Sequence, residues 1–274
     1  MRARRFSLSN LSIKHRLPLL IGLLLLGIIF ASTWASYLGV RESALEAGHQ
    51  RLLNLTQQLA SLSQQSTAIL LGKTVAAAND PAIRNFLQSH SPATRPAALT
   101  ILQQFTAAND PNSLQVELWN DTPSLVLTNS DGSQPEGDLN GEFKLCAVDP
   151  FKAVGSIRLV NNIVAYPALA AVKNDSGKTL GFLVRWRRVS STPEARKQLE
   201  NLLGSEAALY FGNMSGDVWT DLEKLVHGPP AGLQSTLQLT RYARNGNSIM
   251  ALGRPIGGTP FFVVVEFPDS VLDG

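Results

Sequence analysis

LPLLIGLLLLGIIFASTWASYL, residues 17–38, decides how the rest of the chain has to be read. No charged side chain occurs from Leu17 to Val40, a run of 24 residues. At about 1.5 Å of rise per residue, that run crosses a hydrocarbon core of about 30 Å as one helix. The helical spacing continues past the apolar run. Leu38, Leu45, Leu52 and Leu59 follow at intervals of seven, with Leu55, Leu62 and Ile69 on the same stripe. This spacing predicts a narrow apolar seam along one rod, residues 39–78, suited to a second copy of the chain or to the domain that follows.

Charge orients the rod. Residues 1–16 hold Arg2, Arg4, Arg5, Lys14 and Arg16 and no acid. Without these five, the formal net charge of +3 becomes about −2 for the remainder, so the folded part has no basic excess for a nucleic acid to read. Cations flanking a span stay in the cytoplasm, which places residues 1–16 inside, a membrane helix at 17–38, and residues from about 39 onward outside. A cleaved secretory signal is the alternative, given the small residues Ala31, Ser32, Thr33 and Ala35. The length of the run and the continuing ladder favour an anchor. A lone cysteine, Cys146, forms no disulfide within the chain.

Beyond the rod, the sequence AANDP occurs twice, at residues 77–81 and 107–111. Each reads as a helix stop, with short helices expected at 82–88 and 97–108. After Pro111 the period changes to two. Strands are expected at 114–119, 125–129, 153–159, 163–172 and 180–189, with 130–141 as a polar turn tract. Thr192 and Pro193 signal a helix over 194–203 ending at Gly204. Smaller strands follow at 207–211, 218–220, 235–242, 248–255 and 261–267. The expected class is α+β: a long helix, a larger sheet unit at 79–190, a smaller one at 191–268, and a short lead-in at 269–274.

Catalytic chemistry is not legible. LGKT at 71–74 lacks the first glycine of a phosphate loop, the four histidines share no metal-ligand spacing, and GNMSG at 212–216 puts its serine off the position a nucleophile elbow needs. Asp217 and Asp221 beside Trp219 read as turn groups. No cofactor or metal is expected. The binding candidates are Trp119, Tyr166, Arg185 and Trp186, an aromatic wall with one guanidinium for a small anionic or amphoteric ligand. An exposed basic strand edge is the other reading of Arg185, Arg187 and Arg188.

Five stretches carry a resemblance to a known family. They are NDPAIRNFL (79–87), LVLTNSDG (125–132), GKTLGFLVRWRRV (177–189), LYFGNMSGDVWTDL (209–222) and GRPIGGTPFFVVVEFP (253–268). With the anchored rod they resemble the double Cache, PAS-like periplasmic sensor of bacterial histidine kinases, chemoreceptors and membrane cyclases. The resemblance implies a homodimeric signal-transduction receptor that binds a small molecule outside and relays a helix shift through the membrane. It places the span in a bacterial inner membrane and implies a second spanning helix, a HAMP linker and an output module after residue 274, so that the chain is either a fragment of a longer reading frame or a protein anchored only at its start. An anchored or secreted envelope binding or scaffold protein is the alternative.

Overall fold

The computed structural model describes residues 13–105, 109–130, 138–148, 150–190, 197–199, 201, 207–229, 238–244 and 246–268. The basic residues before Ile13, the Thr192 and Pro193 signal, Gly204 and the lead-in at 269–274 lie outside these. Two compact units divide the chain: one carries the first helix as far as Gln50, and the other starts at Arg51.

Helix α1 runs Ile13–Ala78. In the first unit its apolar side chains face outward, Leu23, Ile29, Phe30, Trp34 and Leu38 among them. Thr33 donates to the Ile29 carbonyl at 2.8 Å, which satisfies its hydroxyl without water. Among the described residues α1 is the one helix long and apolar enough to cross a membrane.

In the second unit α1 buries a wide stripe, from Leu52, Thr56, Leu59 and Ala60 through Thr67, Leu70, Leu71 and Thr74 to Ala78. The buried hydroxyls of Thr56 and Thr74 donate to the carbonyls of Leu52 and Leu70 at 2.8 and 2.9 Å. The two leucine ladders separate here. Leu52 and Leu59 are buried by the chain's own domain, Leu55 is half-buried, and Leu62 and Ile69 are exposed. An α-helix drifts by about 20° per heptad from a strict seven-residue repeat, and this drift carries the second ladder off the buried stripe. Of Leu45, only its place in α1 is described.

The first AANDP ends α1 as expected. Asp80, held extended, accepts the Ala82 N–H at 2.8 Å, and Pro81 opens α2 (Pro81–Ser89). Helix α3 covers Arg95–Gln103. The second AANDP is used differently: its Asp110 turns inward onto two arginines (below).

Two antiparallel sheets follow. The first contains β1 (Ser113–Asn120), β2 (Leu125–Thr128), β3 (Lys152–Val154), β4 (Arg158–Val160), β5 (Ile163–Lys173) and β6 (Thr179–Arg188), in the order β2-β1-β6-β5-β3 with β4 also paired to β5. The second contains β7 (Ala208–Asn213), β8 (Trp219–Thr220), β9 (Thr240–Arg244), β10 (Asn247–Pro255) and β11 (Phe261–Pro268), in the order β8-β7-β11-β10-β9. Numbered within each sheet, the described strands run 2-1-6-5-3 in the first and 2-1-5-4-3 in the second, the same order once β3 and β4, which both pair with β5, are counted as one. The chain is thus α+β, a long helix followed by two antiparallel sheets built on one plan.

Two expectations need correction. The single strand at 153–159 is two, broken where Gly155 passes within 2.6 Å, measured from an added Cβ, of the Pro167 ring. The break frees the backbone of Ile157, which donates to Asn213 Oδ1 at 2.7 Å and accepts from Asn213 Nδ2 at 2.8 Å. One buried amide thereby joins the two sheets. The tract at 130–141 is also not all turn: Asn140–Cys146 is a helix, α4, whose Phe143 and Cys146 are buried.

Candidate functional site

Strand alternation sorts the side chains of the first sheet onto two faces. Val116 and Leu118 of β1, Leu183 of β6 and Ala170 and Val172 of β5 form a core with α2, α3 and the end of α1. On the opposite face Phe182, Val184 and Trp186 of β6 and Leu169 and Ala171 of β5 pack against Leu139, Phe143 and Cys146 of the α4 segment. The second face also receives Gln115, Glu117 and Trp119, since Gln115 lies opposite Trp186, Glu117 opposite Val184 and Trp119 opposite Phe182.

Glu117 is 1% exposed. It accepts the indole N–H of Trp119 at 2.9 Å, the indole N–H of Trp186 at 3.1 Å, and the side-chain amide of Gln115. All three donors are neutral, and among the described residues no cation pairs with it. Burial pushes its pKa above the ordinary value of 4.5 against the pull of these hydrogen bonds. A carboxyl so placed is short of positive charge.

Around it stands an aromatic box. Phe143 of α4 is 5.4 Å from the Trp119 ring and 4.8 Å from the Phe182 ring, centre to centre. The Arg158 guanidinium lies 5.6 Å from the centre of the Trp186 ring, pairs with Glu142, and donates to the Asp138 carbonyl at 3.2 Å. Trp186 therefore touches both a carboxyl deep in the site and a cation at its edge. Cys146 is fully buried beside it, and burial raises its thiol pKa to about 12, which leaves it protonated and inert.

The four expected binding residues divide two and two. Trp119 and Trp186 share the Glu117 face. Arg185 and Tyr166 lie on the other, beneath the helices, because neighbouring positions on β6 point to opposite sides and Tyr166 pairs with Arg187. Arg185 is 1% exposed. It donates to Asp110 at 3.1 Å and to the Thr74 hydroxyl of α1 at 3.4 Å, and it stacks 4.0 Å from the Phe105 ring centre. Arg187 donates to the same Asp110 at 3.0 Å. Burial and the neighbouring Arg187 pull the Arg185 pKa down to about 10, still charged at neutral pH. Arg185 is thus an internal ion-paired residue, and neither the exposed edge nor the ligand wall describes it. The guanidinium on the Trp186 face is Arg158.

Asp217 and Asp221 are turn groups. Asp217 accepts from Ser215 at 2.6 Å and Asn213 at 2.9 Å, and Asp221 accepts the backbone N–H groups of Glu223 and Lys224. Gly72, Lys73 and Thr74 of the LGKT stretch lie within α1, where no phosphate loop can form.

No family model matches the chain, and no curated protein matches it in sequence. Solved structures do match in fold. The extracellular domain of the putative histidine kinase rpHK1S-Z16 superposes with a TM-score of 0.59 at 15% identity, over 84% of this chain and 98% of that one. The ligand-binding domain of the Campylobacter jejuni chemoreceptor Tlp3, in complex with L-norvaline, gives 0.59 at 13%, over 84% and 94%. That of the Pseudomonas fluorescens chemoreceptor CtaA, in complex with L-isoleucine, gives 0.55 at 13%, over 85% and 96%. The fold is that of the extracytoplasmic ligand-binding domains of bacterial receptors.

Proposed function

We propose that this chain is the sensing portion of a bacterial transmembrane receptor, and that it binds a small amine-bearing molecule of the amino-acid class on the Glu117 face of its first sheet. The observation that carries this reading is Glu117: a buried carboxyl with three neutral donors, an aromatic surround and no cation among the described residues. A ligand ammonium supplies the missing charge, and the indole and phenyl faces of Trp119, Trp186 and Phe143 favour a cation beside them. Arg158 is the group placed to take a ligand carboxylate by exchanging it for Glu142. Two of the solved structures named above hold L-isoleucine and L-norvaline, which agrees with this chemistry.

In this reading α1 is anchored in the membrane with its start in the cytoplasm, and two copies pair along the exposed line of Leu62 and Ile69. Ligand binding shifts α1 only in so far as the two arrangements of the helix differ in affinity for it.

Two experiments test the reading. The full chain in lipid nanodiscs is titrated calorimetrically with a panel of L-amino acids, each paired with its deaminated carboxylic acid. At least one amino acid should bind, and its deaminated partner should bind about 100-fold more weakly or not at all. Equal affinity of the two would remove the role given to Glu117. For the pairing, Ile69→Glu should leave the fold intact and abolish the dimer in crosslinking, because Ile69 is 56% exposed. Leu52→Glu should instead unfold the domain, since it places a carboxylate in the core.

A further inference from the structure

The groove between the two sheets and α1 has no part in the Glu117 site. It has a volume of about 360 Å³, within the range of small-molecule sites. Three separate elements build it. Leu59, Ser63, Ser66 and Thr67 of α1 form one wall, Tyr166 and Arg188 of the first sheet a second, and Phe211, Phe261 and Val263 of the second sheet a third. Phe261 is nearly fully buried and organises the aromatic part: its ring centre lies 5.2 Å from that of Tyr166, edge on, and 5.2 Å from that of Phe211. These three rings give the groove an aromatic, largely apolar lining.

The polar lining has one sign. Arg188 is its charged residue, it stands exposed at the rim, and no carboxylate lines the groove among the described residues. No ion pair to Arg188 is formed among those residues either. The other polar groups are hydroxyls and one amide, from Ser63, Ser66, Thr67, Tyr166 and Gln198. An apolar aromatic floor, neutral donors along one wall and a single rim cation complement an amphipathic anion. They do not complement an ammonium, which would meet Arg188 and no acid among the described residues.

We infer that this groove is a second ligand site, separate from the Glu117 site, and that it takes a small aromatic monocarboxylate, its ring against Phe261, Phe211 and Tyr166 and its carboxylate at Arg188. Because one wall is α1 itself, an occupant touches the element that leads toward the membrane without passing through the first sheet.

The probe is 3-phenylpropionate, titrated calorimetrically into the full chain in lipid nanodiscs, with empty nanodiscs as the background and 3-phenylpropanol as the uncharged comparison. Saturable binding above background is expected, with 3-phenylpropanol at least about 10-fold weaker. Ser66→Phe fills the groove from an exposed helix position that tolerates the larger side chain, and Arg188→Met removes the rim charge. Each should weaken binding at least about 10-fold while the thermal unfolding midpoint stays put. Glu117→Gln should leave 3-phenylpropionate binding unchanged, so failure of the amine site and failure of this one are told apart. Absence of saturable binding would overturn the inference, as would binding indifferent to Ser66→Phe. Equal binding of the alcohol would overturn the assignment of an anion.

Discussion

Glu117→Gln should abolish amine binding, by at least about 100-fold, and leave the protein as stable as before or more so. Loss of a buried side chain's partner usually costs stability, but here the substituted amide keeps the geometry. Its carbonyl oxygen can accept both indole N–H bonds, and its NH₂ can face the Gln115 oxygen once that amide turns. The carboxyl, by contrast, is held above its ordinary pKa by burial. Over the interval from 4.5 up to its folded value, the folded chain therefore keeps a proton that the unfolded chain releases. Stability falls as pH rises through that interval, and the Gln variant should lose this part of the slope. Glu266 has the same sign, raised by burial against its bonds to Tyr242 and Arg244, so part of the slope should remain. Ligand affinity moves the other way. An ammonium binds the ionised carboxylate, so affinity should rise with pH through the folded pKa, and binding should release a proton. Calorimetry in two buffers of different ionisation enthalpy measures that proton. Undiminished binding by the Gln variant would refute the assignment.

The second large effect lies on the opposite face of the sheet. Asp110→Ala should destabilise the domain by about 3–5 kcal/mol, because it strands the buried Arg185 charge. Removing the arginine itself is milder: Arg185→Met gives up the ion pair and the 3.4 Å contact to Thr74 but can still lie on Phe105. The double variant should therefore be more stable than Asp110→Ala alone, a coupling of about 1–3 kcal/mol in a denaturation cycle. Arg187 keeps the coupling short of complete, since it shares Asp110. Strictly additive losses would show that the pair contributes nothing.

Much of this architecture is legible in the residues. The uncharged run at 17–40 and the change of period after Pro111 place the helix and the strands, and Pro81 and Asp80 cap α2 as the first AANDP suggests. The second AANDP shows the limit: the same five residues leave Asp110 to pair with arginines 75 and 77 positions away, and nothing local distinguishes the two copies. Helix α4 was hidden by Gly141 and the turn formers before it, although Leu139, Phe143 and Cys146 recur at helical spacing. The period-two pattern of β1 already put Glu117 beside Trp119. The covering of that face could not be read from it, because Gln115 and Glu117 look like solvent-facing residues and α4, which covers them, was missed. Arg185 and Trp186 could have been separated by alternation alone, since adjacent strand residues cannot line one wall.

That alternation makes the length of β6 as informative as its composition. Trp186 meets Glu117, and its neighbour Arg185 meets Asp110, across the thickness of a single strand. Inserting or deleting one residue upstream within β6 would exchange the two sides at once, turning guanidinium groups into the aromatic box and an indole toward Thr74. Substitutions here act on one face at a time, whereas a change in length acts on both. An added residue is therefore expected to be tolerated in the Asn174 to Lys178 turn, where Gly177 has positive φ and open space around it and where the insertion leaves the frame of the sheet intact.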